Sequence, residues 1–397
     1  MKLIERQDYL NRLIRLKGTP DIKIITGIRR CGKSKILQAF ISYIQSTDAK
    51  ANIIFIDFTL LEFEVLKEYH SLNDYIIKHK QVGKNNYLMI DEVQMCPNFE
   101  TTINSLYASG EYDIYLTGSN AFLLSADLAT LFTGRYIEMQ VFPFSFREYC
   151  TYYNYDNPQE CFDNYVTEGG LAGSYVYSDD KDKQEYIKQV FNTIITRDLT
   201  QKYNISDNLV LLHLSEYLMD NIGNISSPSN IANNLSANKF STNHVSIGKY
   251  LKYLSQAFVF YKADRYDIRG KKYLESLNKY YLVDTGFRYA LLGKRNMDWG
   301  RVYENIIYIE LIRRGYDVYI GKLYQKEVDF VAMKGNEKFY IQVSDNISDD
   351  VTFEREVAPL LSIKDAYPKI LIARTRHSET DYQGIKVIDI ANWLINS

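Results

Sequence analysis

Apolar positions in the first third of the chain follow two alternating periods. Residues 6–16 place leucine and isoleucine at helical spacing, and residues 34–44 do the same, whereas IKIIT at 22–26, IIFIDF at 53–58 and the runs at 87–90 and 112–117 are short and continuous. Continuous β-rich runs separated by helical patterns predict a parallel sheet covered on both faces, an α/β fold. The pattern breaks at VFPFS, residues 141–145, where Pro143 marks a strand edge or a linker.

Beyond that break, residues 146–208 read as mainly helical, interrupted by GGLAGS at 169–174, which we read as flexible. A different grammar follows. A helix at 209–219 precedes SSPSNIANNL, where Ser226, Ser227 and Ser229 are candidate caps around Pro228; Ser241 and Thr242 precede a third helix at 244–256; and FVFYKADRYDIRGKKYLE has the alternation and central Gly270 of a hairpin. Three helices and a hairpin are the order of a winged helix. The remainder predicts a helix at 303–313 and strands around 327–333, 339–343, 369–373 and 386–388.

Composition narrows the classes. With 397 residues, 47 Lys+Arg against 49 Asp+Glu and 46% hydrophobic residues, the chain is too long for one typical domain and too balanced for a histone-like or acidic-tail protein. Two to three folded units are expected. Charges interrupt the apolar residues at the N-terminus, and no stretch reaches the roughly 20 apolar residues of a membrane span, so a cytoplasmic location is expected. Cys31, Cys96, Cys150 and Cys161 form no CxxC pair, which predicts reduced, structural thiols, and the five histidines lie far apart. The 35 tyrosines leave a nucleic-acid partner open.

The chemistry begins at Gly27. Residues 27–34 read GIRRCGKS, fit GxxxxGK[ST], and lie between an apolar strand and an amphipathic helix, the context that motif requires. Gly27 and Gly32 let the backbone wrap a phosphate, Lys33 reaches the terminal phosphates, and Ser34 holds Mg²⁺. Downstream, YLMIDE at 87–92 delivers two carboxylates at a strand end: Asp91 for the Mg²⁺ shell and Glu92 to orient and deprotonate water.

The ordered set GIRRCGKS, YLMIDEVQ, IYLTGSNA, LFTGRY and VFPFSFREY resembles a clade of prokaryotic AAA+ superfamily ATPases in which a P-loop domain precedes a domain of unknown function. The resemblance covers almost the whole chain. It implies a Walker A site in which Gly27, Ile28, Arg29, Arg30, Cys31, Gly32, Lys33, Ser34 and Lys35 line ATP, and a Walker B site of Asp91 and Glu92. It also implies a polar sensor at Ser119 and Asn120 and an arginine finger or sensor at Arg135, acting in its own subunit or in a neighbour. For Arg29 and Arg30 two readings stay open, phosphate binding or pairing with a carboxylate.

The last segment resembles the PD-(D/E)xK nuclease fold. There the resemblance places Glu304 on the first helix, Asp329 on a strand, and IQVS at 341–344 where the motif has its acid and lysine. Gln342 is neutral and Ser344 stands where the lysine belongs, so a degenerate, inactive scaffold is expected. The expected division is a P-loop ATPase domain at 1–145, a helical lid or linker at 146–206, a winged helix at 207–285 and a restriction-endonuclease-like α/β domain at 286–397. The expected activity is Mg²⁺-dependent ATP hydrolysis coupled to the later domains. Expected partners are DNA through the winged helix, an unidentified protein, or further copies of the chain, and no membrane. An ATP-gated DNA nuclease and a non-hydrolysing nucleotide switch or scaffold are the alternatives.

Overall fold

A computed structural model describes residues 4–118, 130, 132–205, 208–238, 240, 242–294 and 297–396. It divides into two compact units, Met1–Phe142 with Gln201–Tyr203, and Pro143–Thr200 with Asn204–Ser397. The sequence break at Pro143 thus falls where one unit ends.

The first unit runs α1 (Gln7–Leu16), β1 (Ile22–Thr26), α2 (Lys33–Thr47), β2 (Ala51–Asp57), α3 (Tyr69–His79), β3 (Asn85–Asp91), α4 (Phe99–Ser109), β4 (Tyr112–Thr117) and β5 (Tyr136–Gln140). Its strands form one parallel sheet in the order β2-β3-β4-β1-β5. All five residues of β1 are buried, as the continuous apolar run requires. Lys23 is the exception in kind: its ammonium stays in the sheet because Asp113 pairs with it at 2.6 Å. Ile22, Ile24, Ile56, Leu88, Ile90 and Leu116 pack with α3 and α4 residues such as Leu72, Ile76, Ile103 and Leu106 into one core.

The second unit begins with α5 (Phe146–Tyr153), α6 (Pro158–Glu168) and α7 (Asp180–Thr193), then α8 (Asn208–Asp220), α9 (Pro228–Ala237) and α10 (His244–Gln256). There follow β6 (Phe260–Asp267), β7 (Lys272–Leu282), α11 (Thr285–Leu292), α12 (Trp299–Arg313), β8 (Asp317–Leu323), β9 (Lys326–Lys334), β10 (Glu337–Ser344), α13 (Asp350–Leu361), β11 (Lys369–Ala373), β12 (Thr380–Tyr382), β13 (Ile385–Asp389) and α14 (Ile390–Ile395). One eight-stranded sheet collects these strands in the order β12-β13-β11-β10-β9-β8-β6-β7. The β6–β7 hairpin is therefore continuous with the later strands, because β6 pairs in parallel with β8. Between α8 and α9, Ser226 bridges Asn278 of β7.

Two expectations are corrected. GGLAGS is closely packed: a Cβ on Gly169 would lie 1.9 Å from Asp284 Oδ1, one on Gly170 would lie 2.3 Å from the Phe144 carbonyl, and Ser174 is fully buried. The glycines serve close approach, which sequence alone does not distinguish from looseness. The four cysteines are not all thiols, since Cys150 on α5 and Cys161 on α6 are joined with their Cα atoms 6.1 Å apart, leaving Cys31 and Cys96 free and buried. The tyrosine excess gains a partial account beside them. Tyr149 and Tyr153 both donate to Glu168, at 3.0 and 3.1 Å, and Tyr149 packs on Tyr165 and Tyr175.

Candidate active site

The GIRRCGKS loop leaves the C-terminal end of β1 and enters α2 with Gly32 as the helix cap, φ +103°. Gly27 has φ +141°, and a Cβ there would lie 2.2 Å from the Val141 carbonyl. Only glycine permits that turn to pass under the strand end. Ile28 and Cys31 are buried, Arg29 is half-buried and Arg30 is exposed at φ +66°. Lys33, 4% exposed, folds over the loop and donates to the Gly27 and Ile28 carbonyls at 3.0 and 3.2 Å. An ammonium held by loop carbonyls stands where a phosphate would meet it. Lys35 faces outward and donates to Gln38 at 3.0 Å, so its side chain does not join the loop.

Asp91 ends β3, with β4 between it and β1. Burial raises its pKa above the usual carboxylate range, hydrogen bonds from Ser34 and Thr117 oppose the rise, and the charges of Glu92 and Asp57 add to it. The Ser34 bond brings the GIRRCGKS loop and the end of β3 together. Thr117, at the end of β4, donates its hydroxyl to Asp91 Oδ1 and accepts the Glu92 amide at 3.1 Å. Glu92 itself is in the left-handed region, φ +54°, and its carboxylate accepts from the Gln94 amide. A serine hydroxyl beside a carboxylate at a phosphate loop is the donor set that suits Mg²⁺, so these residues fit the ion.

Two groups enter that sequence reasoning missed. Thr117 carried a signal, a hydroxyl ending the apolar strand IYLT beside the Walker B strand. Arg6 carried none, because a buried arginine looks like a surface one in sequence. Its Nη1 donates to the carbonyls of Cys31, inside the loop, and Phe142, both at 2.9 Å, while the guanidinium stacks 4.5 Å from the Tyr9 ring.

Other expected residues fall elsewhere. Ser119 and Asn120 lie outside the described residues. Arg135 precedes β5, the neighbour of β1, and its carbonyl accepts the Ile22 amide at the start of β1, so it lies at the end of the strands away from the loop, exposed and 5.5 Å from the Tyr107 ring centroid. Within one chain the structure does not bring it to the phosphate site.

Glu304, Asp329 and Gln342 do come together in the second unit, but around a lysine that sequence reading did not place there. Lys279 of β7 pairs with Glu304 at 3.0 Å and Glu327 at 2.7 Å, and Tyr281 donates to Glu304 at 2.5 Å. Burial alone would lower the Lys279 pKa, but Glu304, Asp329 and Glu327 hold it above the usual lysine range. Burial, then the Glu304 charge, pushes Asp329 well above the usual carboxylate range. Gln342 accepts the Asp329 amide at 3.3 Å and donates to Glu356 at 3.1 Å. Among the described residues no group of three or more His, Cys, Asp or Glu is arranged to hold a metal.

A phosphate loop after β1, its aspartate at the end of β3 and a fully parallel sheet define a P-loop nucleotide-binding domain of the ATPase class. The model of an AAA domain matches residues 19–150, and that of a domain of unknown function matches residues 159–298. The chain is 38% identical to an uncharacterized protein of Haemophilus influenzae over 400 residues, 99% of each chain, and it belongs to the same family of AAA-domain proteins. An uncharacterized protein of Methanocaldococcus jannaschii is 27% identical over 375 residues, 90% of this chain and 82% of its own. The solved Walker-type ATPase of Pyrococcus abyssi is 17% identical with a TM-score of 0.44, over 73% of this chain and 96% of its own. No helix among the described residues is long and apolar enough to cross a membrane.

Proposed function

We propose that the chain binds ATP with Mg²⁺ at residues 27–35 and hydrolyses it, with Glu92 as the base. The observation that carries this reading is the Ser34–Asp91 hydrogen bond, made beside a lysine that already closes over the loop. Loop amides and the N-terminus of α2 hold the phosphates, and Lys33 exchanges its carbonyl partners for phosphate oxygens. Mg²⁺, when bound, neutralises phosphate charge, and Ser34 and Asp91 would hold it. Thr117 keeps Asp91 in place and fixes the Glu92 backbone, so that Glu92 presents its carboxylate to the attacking water. Arg6 ties the loop to Phe142, the last residue of the first unit before Pro143, which supports a coupling of nucleotide state to the chain that follows.

The second unit we read as winged-helix and nuclease-like in layout. The order α8, α9, α10, β6, β7 with the Ser226–Asn278 bridge supports the first, and α12 followed by β8, β9, β10, α13 and β11 supports the second. Cleavage is not part of the proposal, because the Lys279 ammonium fills the space between the carboxylates that a metal ion would need. The test is ATP binding and phosphate release by Lys33→Ala and Glu92→Gln. The first is expected to bind no nucleotide, the second to bind it without turnover. Wild-type hydrolysis by Glu92→Gln would overturn the assignment.

A further inference from the structure

The β6–β7 hairpin carries Lys262, Arg265, Arg269, Lys271, Lys272 and Lys279 against Asp264, Asp267 and Glu275, and these cations gain meaning from what the sheet puts beside them. Register pairs Asp267 with Lys272 across the hairpin and with Lys322 on β8, so the β6–β7 turn and the β8–β9 turn lie side by side. Arg269 in the first turn stacks 5.0 Å from the ring of Tyr324 in the second. Tyr324 and Tyr273 are each 62% exposed, so much of each ring is open to a ligand. Tyr273 is also the outer member of an aromatic row across the sheet: its ring lies 5.5 Å from Tyr266 and 5.0 Å from Tyr319. Lys338 on β10 continues the row, its ammonium 5.1 Å from the Tyr266 ring and 5.1 Å from that of Tyr367.

Two acids lie among these cations and offset them only in part. The Asp267 carboxylate is taken by the Arg269 and Gly270 amides, and Asp365 by the Tyr340 hydroxyl. Lys262, by contrast, is paired with Asp264 at 2.6 Å. Burial holds the Lys338 pKa below the ordinary lysine value, Asp365 opposes this, and the charge of Lys271 adds to it. Cations gathered at this cost around exposed rings suit an anionic, aromatic ligand.

We propose that Arg269, Lys271, Lys272 and Lys338, with Tyr273 and Tyr324, form a docking surface for single-stranded nucleic acid. Phosphates pair with the cations while unstacked bases lie on the tyrosine rings. Duplex is disfavoured on two counts: its bases have no free faces, and α10, the helix a winged helix would insert into a major groove, carries only Lys249 and Lys252. The surface is distinct from the nucleotide site.

Fluorescence anisotropy of the full chain with labelled oligonucleotides tests this, using single-stranded DNA, single-stranded RNA and the DNA duplex across a salt series. Either single strand is expected to bind in preference to the duplex, and the better of the two identifies the natural strand. Tyr273→Ala should weaken binding roughly tenfold with the salt slope unchanged. Lys271→Ala/Lys272→Ala should reduce the slope of log affinity against log salt by about 1.4, at about 0.7 per phosphate. ATP hydrolysis should be unchanged in both when no nucleic acid is present. Absence of single-strand binding at low salt, binding untouched by both variants, or a duplex bound as tightly as the single strands would overturn the proposal.

Discussion

Thr117 joins Asp91 and Glu92: its hydroxyl donates to the Asp91 carboxylate, and its oxygen receives the Glu92 amide at 3.1 Å. One side chain on β4 thus fixes the residue proposed to face the ion and the backbone of the proposed base. Thr117→Val keeps the shape and removes both bonds. A hydrogen bond to a charged group contributes about 1.5–3 kcal/mol, so kcat should fall roughly 10- to 100-fold while nucleotide affinity changes little. Steady-state phosphate release beside nucleotide titration checks it, and unchanged turnover would remove Thr117 from the site.

Gly27 makes a sharper steric prediction. Alanine there must tolerate φ +141° with its Cβ 2.2 Å from a backbone carbonyl, so the loop has to deform. Gly27→Ala is expected to lose measurable ATP binding in calorimetry. Gly83→Ala is the control: its φ is also positive, +79°, but no atom lies within 4 Å of the added methyl, so binding should persist.

Legibility followed the range of the interactions. β4 and α10 were readable to their ends, and the phosphate loop to its residues, because local period and spacing carry that information. Thr117 and Arg6 were not, since each matters through partners on other strands or loops. The PD-(D/E)xK reading looked for its lysine two residues after Gln342, whereas the cation in the cluster comes from Lys279, 63 positions earlier on a strand the sequence assigned to a wing. For the same reason the eight-stranded sheet, which joins β6 to β8, was read as two domains.

Lys279 gives a stability prediction of its own. Lys279→Met leaves Glu304 and Glu327 buried or half-buried without their counter-ion, a loss on the order of 3–5 kcal/mol for a broken buried pair. Thermal unfolding should therefore show a large drop in Tm. Adding Glu304→Gln to the same chain should recover part of it, because one uncompensated charge is gone; two additive losses would show that charge is not the cause.

Asp284 predicts a pH dependence. It caps α11 by accepting the Gly286 amide at 2.8 Å and also accepts the Gly170 amide at 2.6 Å, yet burial pushes its pKa up to about 7 against those bonds and the nearby Arg313 charge. A carboxyl whose folded pKa lies above its unfolded value holds its proton more tightly in the folded chain. Its contribution is fully present below the unfolded value of 3.8 and is lost as pH rises through about 7. The second unit should accordingly lose stability from this residue between mildly acidic and neutral pH. Asp284→Asn cannot titrate, so it should flatten that part of the Tm profile, whatever constant offset follows from leaving one of the two backbone amides against an NH2 group that cannot accept its hydrogen bond. A wild-type slope retained in Asp284→Asn would place the titration elsewhere.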